Sequence, residues 1–202
     1  MTEPFDDIAW PVRTDRLVLR PATLEDADAI WRYRRLEEVT RWIYRAHPTL
    51  EEFRRHGFDP DRPGGRLAVE HDGELIGDVA LLVGDGWSQA DVAEQATAVE
   101  AEVGWVFDPR FQGRGFATEA VRELLRLCFE ELGLRRVTAG TFADNEPSWR
   151  LMERVGMRRE AHAVKDSLHR TRGWLDGYEY AILAEEWPAR RLRPSSAPSP
   201  SG

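Results

Sequence analysis

The stretch from Val99 to Gly133 constrains this chain more than any other. Val99 to Phe107 reads as a strand, and Asp108-Pro109 stops it. The turn Gln112-Gly113-Arg114-Gly115 then leads into a helix predicted over Gly115 to Leu132. Val121, Leu124, Leu125, Cys128 and Leu132 recur at the spacing of one buried helix face, and Gly133 supplies the C-terminal cap. A strand that feeds directly into so apolar a helix face must belong to a sheet on which that helix packs.

The turn carries chemistry as well as geometry. Backbone N–H groups in the first turn of a helix have no partner inside the helix, and the helix dipole adds partial positive charge there. Gly113 and Gly115 let an anion approach the backbone without meeting a Cβ, and Arg114 can add its charge. The combination suits a pyrophosphate. It is not a Walker loop, which needs Gly-Lys-Ser/Thr. Nor is it the dinucleotide fingerprint, because Ala117-Thr118 stands where the third glycine belongs and three predicted strands precede the loop. Without a ligand, the same residues would be a strand-to-helix turn tuned by glycine.

The remaining elements follow from local signals. Arg16 to Arg20 alternates polar and apolar as a half-buried strand does. Thr23-Leu24-Glu25-Asp26 and Thr49-Leu50-Glu51-Glu52 resemble capping boxes, each opening a helix, the first with Ala27, Ile30 and Trp31 on one face. Arg66 to His71 and Glu74 to Val83 are predicted strands, and Asp72-Gly73 marks a hairpin between them. Gly84 to Ala96 reads as a polar loop that either shapes substrate access or is a surface insertion. After the long helix come a strand (Arg136 to Thr141), a helix from Asn145-Glu146-Pro147 to Gly156, and strands near Arg158 to Val164 and Tyr178 to Leu183. The order predicts one mixed α/β domain over about Val12 to Trp187, of about seven strands and about four helices. Residues 1–11 read as a tail, and the Pro/Ser-rich end from Pro188 is expected to be disordered.

Composition narrows the partners. The net charge of -8, from 28 Lys+Arg against 36 Asp+Glu, repels phosphate backbones and speaks against nucleic acid. It is compatible with a cationic amine, although many proteins are acidic for other reasons. The lone cysteine, Cys128, allows no internal disulfide and falls on the apolar helix face, where it reads as a small core residue. No signal-like start and no run near the roughly 18 apolar residues of a membrane span is present, so a cytoplasmic location is expected. His162 and His169 are too scattered for a metal site.

Gln112-Gly113-Arg114-Gly115-Phe116-Ala117 resembles the Gln/Arg-x-x-Gly-x-Gly/Ala signature of the GNAT superfamily of acyl-CoA-dependent N-acyltransferases. The run Gln112 to Ala120 is similar to the branch containing the ribosomal-protein N-terminal acetyltransferases. Thr14 to Pro21, Asn145-Glu146-Pro147-Ser148 with Val155-Gly156-Met157, and Trp174 to Leu183 resemble that branch's opening strand, Asn-x-x-Ser helix and closing strand. The resemblance implies a twisted, mostly antiparallel sheet in which two central strands splay apart to admit pantetheine. It implies acetyl-CoA as co-substrate, with Val106 and Phe107 pairing their backbone with the pantetheine amides. Gln112, Gly113, Arg114, Gly115, Ala117 and Thr118 would hold the pyrophosphate, and Asn145 the pantetheine arm.

The implied reaction is direct attack of a neutral primary amine on the thioester in a ternary complex. Ser148 occupies the place of that branch's thiolate donor. The tyrosine that many relatives carry four residues further on is here Met152, which cannot donate. Glu102 resembles the base of some relatives, and Asp166 and Glu160 fall where the ribosomal branch offers another carboxylate. A water chain could also serve. Trp42 and Tyr44 follow the first helix, where relatives line the acceptor pocket, and could stack on a ring or embrace a cation. Trp31 reads better as core. The acceptor is then a protein N-terminus or a small-molecule amine. Two other readings are an aminoglycoside-type antibiotic acetyltransferase and a non-catalytic acyl-CoA-binding module. Homodimers are common in the family, but nothing in the sequence marks an interface.

Overall fold

The computed structural model describes residues 8–58 and 65–187. The acidic start and the Pro/Ser-rich end lie outside the described residues. The strands are β1 (Val12–Arg13), β2 (Val18–Pro21), β3 (Gly65–His71), β4 (Glu74–Gly84), β5 (Glu100–Phe107), β6 (Arg136–Phe142), β7 (Arg158–His169) and β8 (Gly173–Leu183). The helices are α1 (Ala27–Arg34), α2 (Glu37–Thr40), α3 (Leu50–Gly57), α4 (Phe116–Arg126) and α5 (Glu146–Arg154). One sheet of 8 strands runs in the order β1-β2-β3-β4-β5-β6-β8-β7. Every neighbouring pair is antiparallel except β5 and β6, which are parallel. The mixed, mostly antiparallel architecture is the one expected. The additional strand is the two-residue β1.

The sheet buries both faces. On one, α4 and the turn that continues it set Ala120, Val121, Leu124, Leu125 and Cys128 against Val79, Leu81, Ala101, Val103 and Val137. Burial pushes the Cys128 thiol up to about 12, so it is an inert core group. The α-helix passes into a π turn at Leu127–Glu131, and Gly133 ends the segment at φ 63°. On the other face a smaller cluster joins Ala27, Ile30, Tyr33, Phe53 and Val106.

Two local signals act as anticipated. Asp72 and Gly73 take φ of 50° and 78° in the β3–β4 hairpin, the left-handed pair that a two-residue turn of this twist requires. Thr49 Oγ1 accepts the Glu52 N–H at 3.2 Å and opens α3.

Other expectations are corrected. Tyr33 joins Ala27 and Ile30 in the core, its hydroxyl donating to buried Asp78 at 2.7 Å, and Trp31 packs against that cluster. Trp31 is half-buried beneath the Arg35 guanidinium. Ile8 is buried in the core, so packing begins within the stretch read as a tail. The closing strands are far longer than expected. Their bulges and mostly exposed β7 residues weaken the alternation from which a strand is read. Gly84 to Ala96 contains a 3-10 segment (Ala90–Ala96), and Trp87 on it is 92% exposed. None of residues 85–98 borders the cleft described below, so the stretch is a surface insertion. Among the described residues no helix is long and apolar enough to cross a membrane.

Candidate active site

The parallel strands β5 and β6 pair only from Glu100↔Arg136 to Glu102↔Thr138. Beyond that rung each continues to pair with its outer neighbour, β5 with β4 to Phe107 and β6 with β8 to Phe142. The two strands therefore diverge. Arg135 N donates to Val99 O at 2.7 Å and Thr138 Oγ1 to Ala101 O at 3.3 Å, which turns the peptide groups of odd-numbered β5 residues toward β6. Asp108 N donates to Ile76 O at 2.9 Å, which turns the even-numbered ones toward β4. In the gap, then, Val103, Trp105 and Phe107 present peptide groups that no strand satisfies. Phe107, named from the resemblance, is among these; Val106, named with it, lies opposite Asp78 and turns its peptide groups toward β4.

The gap opens into a cleft of about 2630 Å³. At its β5 end stands the glycine turn. Gly113 and Gly115 adopt φ of 74° and 80°, where any other residue would be strained. Gly115 is the N-cap of α4 and offers no side chain to its first-turn amides. Gln112, Gly113, Gly115, Ala117 and Thr118 all border the cleft. The turn thus has what a diphosphate needs: uncapped N–H groups, a helix dipole and open approach. Arg114 does not border the cleft. Its guanidinium lies 4.7 Å over the Phe116 ring.

A carboxylate in that first turn would repel an anion, and Glu119 is one. It is disarmed by Thr14 Oγ1 (2.6 Å) and by the backbone N (3.0 Å) and Nε (2.7 Å) of Arg16. Burial alone would push this carboxyl up, and these bonds pull it below the usual range instead. Arg16 also donates to Arg114 O at 3.0 Å, strapping the turn to the strand edge. Sequence reading saw Arg16 only as an outward strand residue. Thr118 Oγ1 is met by Arg154 Nε at 3.5 Å, a second cation bordering the corner.

Helix α5 closes the β6 side. Asn145, its N-cap, donates to Thr141 Oγ1 at 3.2 Å and borders the cleft. Ser148 is half-buried on the same wall, and its hydroxyl makes no hydrogen bond among the described residues. Met152 is 1% exposed, a packing residue.

On the opposite wall Trp42 stands 6.2 Å from Phe142 and 5.8 Å, edge-on, from His169. His169 Nε2 meets Arg41 O at 2.9 Å, which draws the chain after α2 onto the end of β7. Glu102 and Glu179 also border the cleft. No group of three or more His, Cys, Asp or Glu suited to a metal occurs among the described residues.

The family profile described as "Acetyltransferase (GNAT) domain" matches residues 16–158. The chain belongs to the GNAT acetyltransferase family. A Bacillus subtilis protein described as the uncharacterized N-acetyltransferase YnaD is 32% identical over 176 residues, covering 87% of this chain and 98% of that protein. The L-amino acid N-acetyltransferase AaaT of Escherichia coli is 26% identical over 167 residues, 82% of this chain and 96% of its own length. The crystal structure of a GNAT-family acetyltransferase from Bacillus anthracis superposes with a TM-score of 0.70 at 28% identity, covering 87% and 99% of the two chains. The matches establish the acetyltransferase family and do not single out its ribosomal branch.

Within this acetyltransferase the structure sorts the remaining candidates. Tyr44 is at the cleft rim, 90% exposed. Asp166 does not border the cleft and accepts Ser167 Oγ at 2.9 Å. Glu160 is engaged elsewhere. Its carboxylate is bound by Arg136 and Arg158, whose hydrogen bonds lower it to about 2, and it lies off the cleft. Glu179 was missed, because a glutamate in a closing strand reads as a solvated outward residue. Asp78 was missed too. This wholly buried carboxylate accepts from Tyr33 and from Arg34 Nε (2.9 Å) and pairs with Arg66 (2.5 Å). Burial pushes the carboxyl up, but Arg34 and Arg66 overcome that and hold it below its ordinary value. Arg34 and Arg66 border the cleft, so this network anchors α1 to the cleft wall.

Proposed function

We propose that this acetyltransferase moves the acetyl group of acetyl-CoA to a primary amine by direct attack in a ternary complex. The observation that carries the reading is the β5–β6 gap, which runs from the uncapped mouth of α4 to a wall bearing free carboxylates. In this reading Gln112, Gly113, Gly115, Ala117 and Thr118 hold the pyrophosphate, Phe107 and Asn145 hold the pantetheine arm, and Arg114 adds charge from outside. Trp105 takes the pairing role first given to Val106. The N–H groups of Val103 and Trp105 face the gap, where an oxyanion donor is wanted. Ser148 gives a proton to the departing thiolate. A cleft carboxylate receives the amine's proton, Glu102 being the one to which the sequence points. Trp42, with Tyr44 at the rim and Asp166 beyond it, forms the acceptor side.

The acceptor is the amine of a protein N-terminus or of a small molecule, consistent with the ribosomal-type motifs and with a relative described as acting on L-amino acids. Isothermal calorimetry with CoA and acetyl-CoA, followed by thiol release with a panel of peptides, amino acids, polyamines and aminoglycosides, tests the reading. Turnover confined to aminoglycosides would make it an antibiotic-type enzyme. Binding without turnover on any amine would favour an acyl-CoA-binding module. No binding at millimolar ligand would end the proposal.

A further inference from the structure

We infer that Glu179, rather than Glu102, is the catalytic base that takes the proton from the acceptor ammonium, with Glu102 as its charged neighbour; this rests on the transferase reading above. Glu179 lies on β8 opposite Gly140 of β6, beyond the last β5–β6 rung, where the gap is open. Gly140 makes its position feasible: a Cβ there would stand 2.9 Å from Glu179 Oε1. The carboxylate therefore lies across the β6 backbone toward the gap. It borders the cleft and makes no hydrogen bond or ion pair among the described residues. Its rivals are worse placed. Glu160 is bound by two guanidiniums and Asp166 lies off the cleft; Glu102 and Glu179 are both exposed, but Glu102 stands at the closed rung of the gap and Glu179 beyond it.

The surroundings also suit a base. Burial raises the Glu179 carboxyl above its ordinary value, and the carboxylates of Glu102 (from β5) and Asp166 (from β7) raise it further. β6 meets it with Gly140, which carries no charge. On the far wall His169 meets Arg41 O and Arg170 donates to Ile43 O. A base whose pKa is brought toward the working pH accepts a proton more readily than an ordinary carboxylate.

The step balances. Glu179 takes one proton from the ammonium, and the freed amine bonds to the thioester carbonyl carbon. The C–S bond breaks, and the nitrogen's second proton reaches the thiolate sulfur by way of the Ser148 hydroxyl. Glu179 then releases its proton to solvent.

The test compares Glu179→Gln, Glu179→Asp and Glu102→Gln with the fastest amine of the panel, measuring kcat/KM against pH and CoA affinity by calorimetry. Glu179→Gln should keep its CoA affinity, lose about 100-fold in kcat/KM and lose the acid limb, with partial recovery in Glu179→Asp. Glu102→Gln should lose only several-fold and move the acid limb to lower pH, because a like charge that raises its neighbour is gone. The reverse pattern, or an unchanged Glu179→Gln profile, overturns the inference. Carboxyl-carbon NMR supplies a readout that needs no acceptor. Glu179 should titrate above its ordinary 4.5 and fall in Glu102→Gln, and titration at or below 4.5 in the parent protein overturns the assignment. Failure to bind acetyl-CoA would sink the transferase reading instead and leave the titration result standing.

Discussion

At the end of the cleft proposed for the coenzyme, most groups come from one unbroken run, the gap-facing edge of β5 and the turn at 112–118, with α5 adding Asn145 and Ser148. At the end proposed for the acceptor, Trp42, Glu102, Phe142, His169 and Glu179 come from separate stretches of the chain. The first region is backbone chemistry: uncapped amides, glycines at positive φ and a strand edge without a partner. The second is side-chain chemistry held in place by long-range contacts such as His169 with Arg41 O and Asp78 with Arg34 and Arg66. The contrast teaches that one scaffold can keep a constant donor site while its acceptor site varies, because substitutions at the acceptor end leave the amide cradle untouched.

The largest effect expected is on the acceptor end. Asp78→Ala would remove the buried carboxylate that Arg34 and Arg66 share and should cost about 3–5 kcal/mol of stability, read from the urea midpoint. The folded carboxyl titrates below its ordinary 3.8, so the parent protein's advantage is complete above that value and fades as the pH falls through the lower folded one. If Asp78→Ala instead abolished CoA binding in protein shown to be folded, the two regions would not be independent. Next comes Ser148→Ala, which should lower kcat about 100-fold while leaving CoA affinity within about threefold. An unchanged kcat would reduce Ser148 to a wall residue. Gly115→Ala should weaken CoA about tenfold, since a left-handed residue with a Cβ costs about 1–2 kcal/mol, which the free turn escapes by relaxing and CoA binding must restore; calorimetry would read it directly. Smallest is Glu160→Gln, away from both ends. Its ion pairs are partly exposed, so the loss at pH 7 should be under about 1 kcal/mol. The carboxyl is lowered from 4.5 to about 2, so this difference holds above 4.5 and vanishes below about 2.

How far the sequence could be read follows the same division. The strand–turn–helix unit, the Asp72-Gly73 hairpin and the Thr49 cap are each written in adjacent residues, and all three stand in the structure. Tyr33 went unremarked because nothing near α1 announces Asp78, which is 45 positions further on. Val106 was named from the family resemblance, and nothing along β5 shows which edge each of its amides faces. That depends on the neighbouring strands. Glu160 and Glu179 look alike along the chain. Two guanidiniums bind the first and a glycine makes room for the second.

What the sequence determined by itself was the local grammar: where strands stop, where a helix begins without a cap, and where glycine permits an anion to come close. These depend on φ preferences and on hydrogen bonds that span a few residues. Only the tertiary structure decided that β5 and β6 part after a single short ladder, which amides the parting leaves open, and which carboxylates look into the gap. Those are properties of strand pairing and burial, and the groups that set them meet only when distant parts of the chain are packed together.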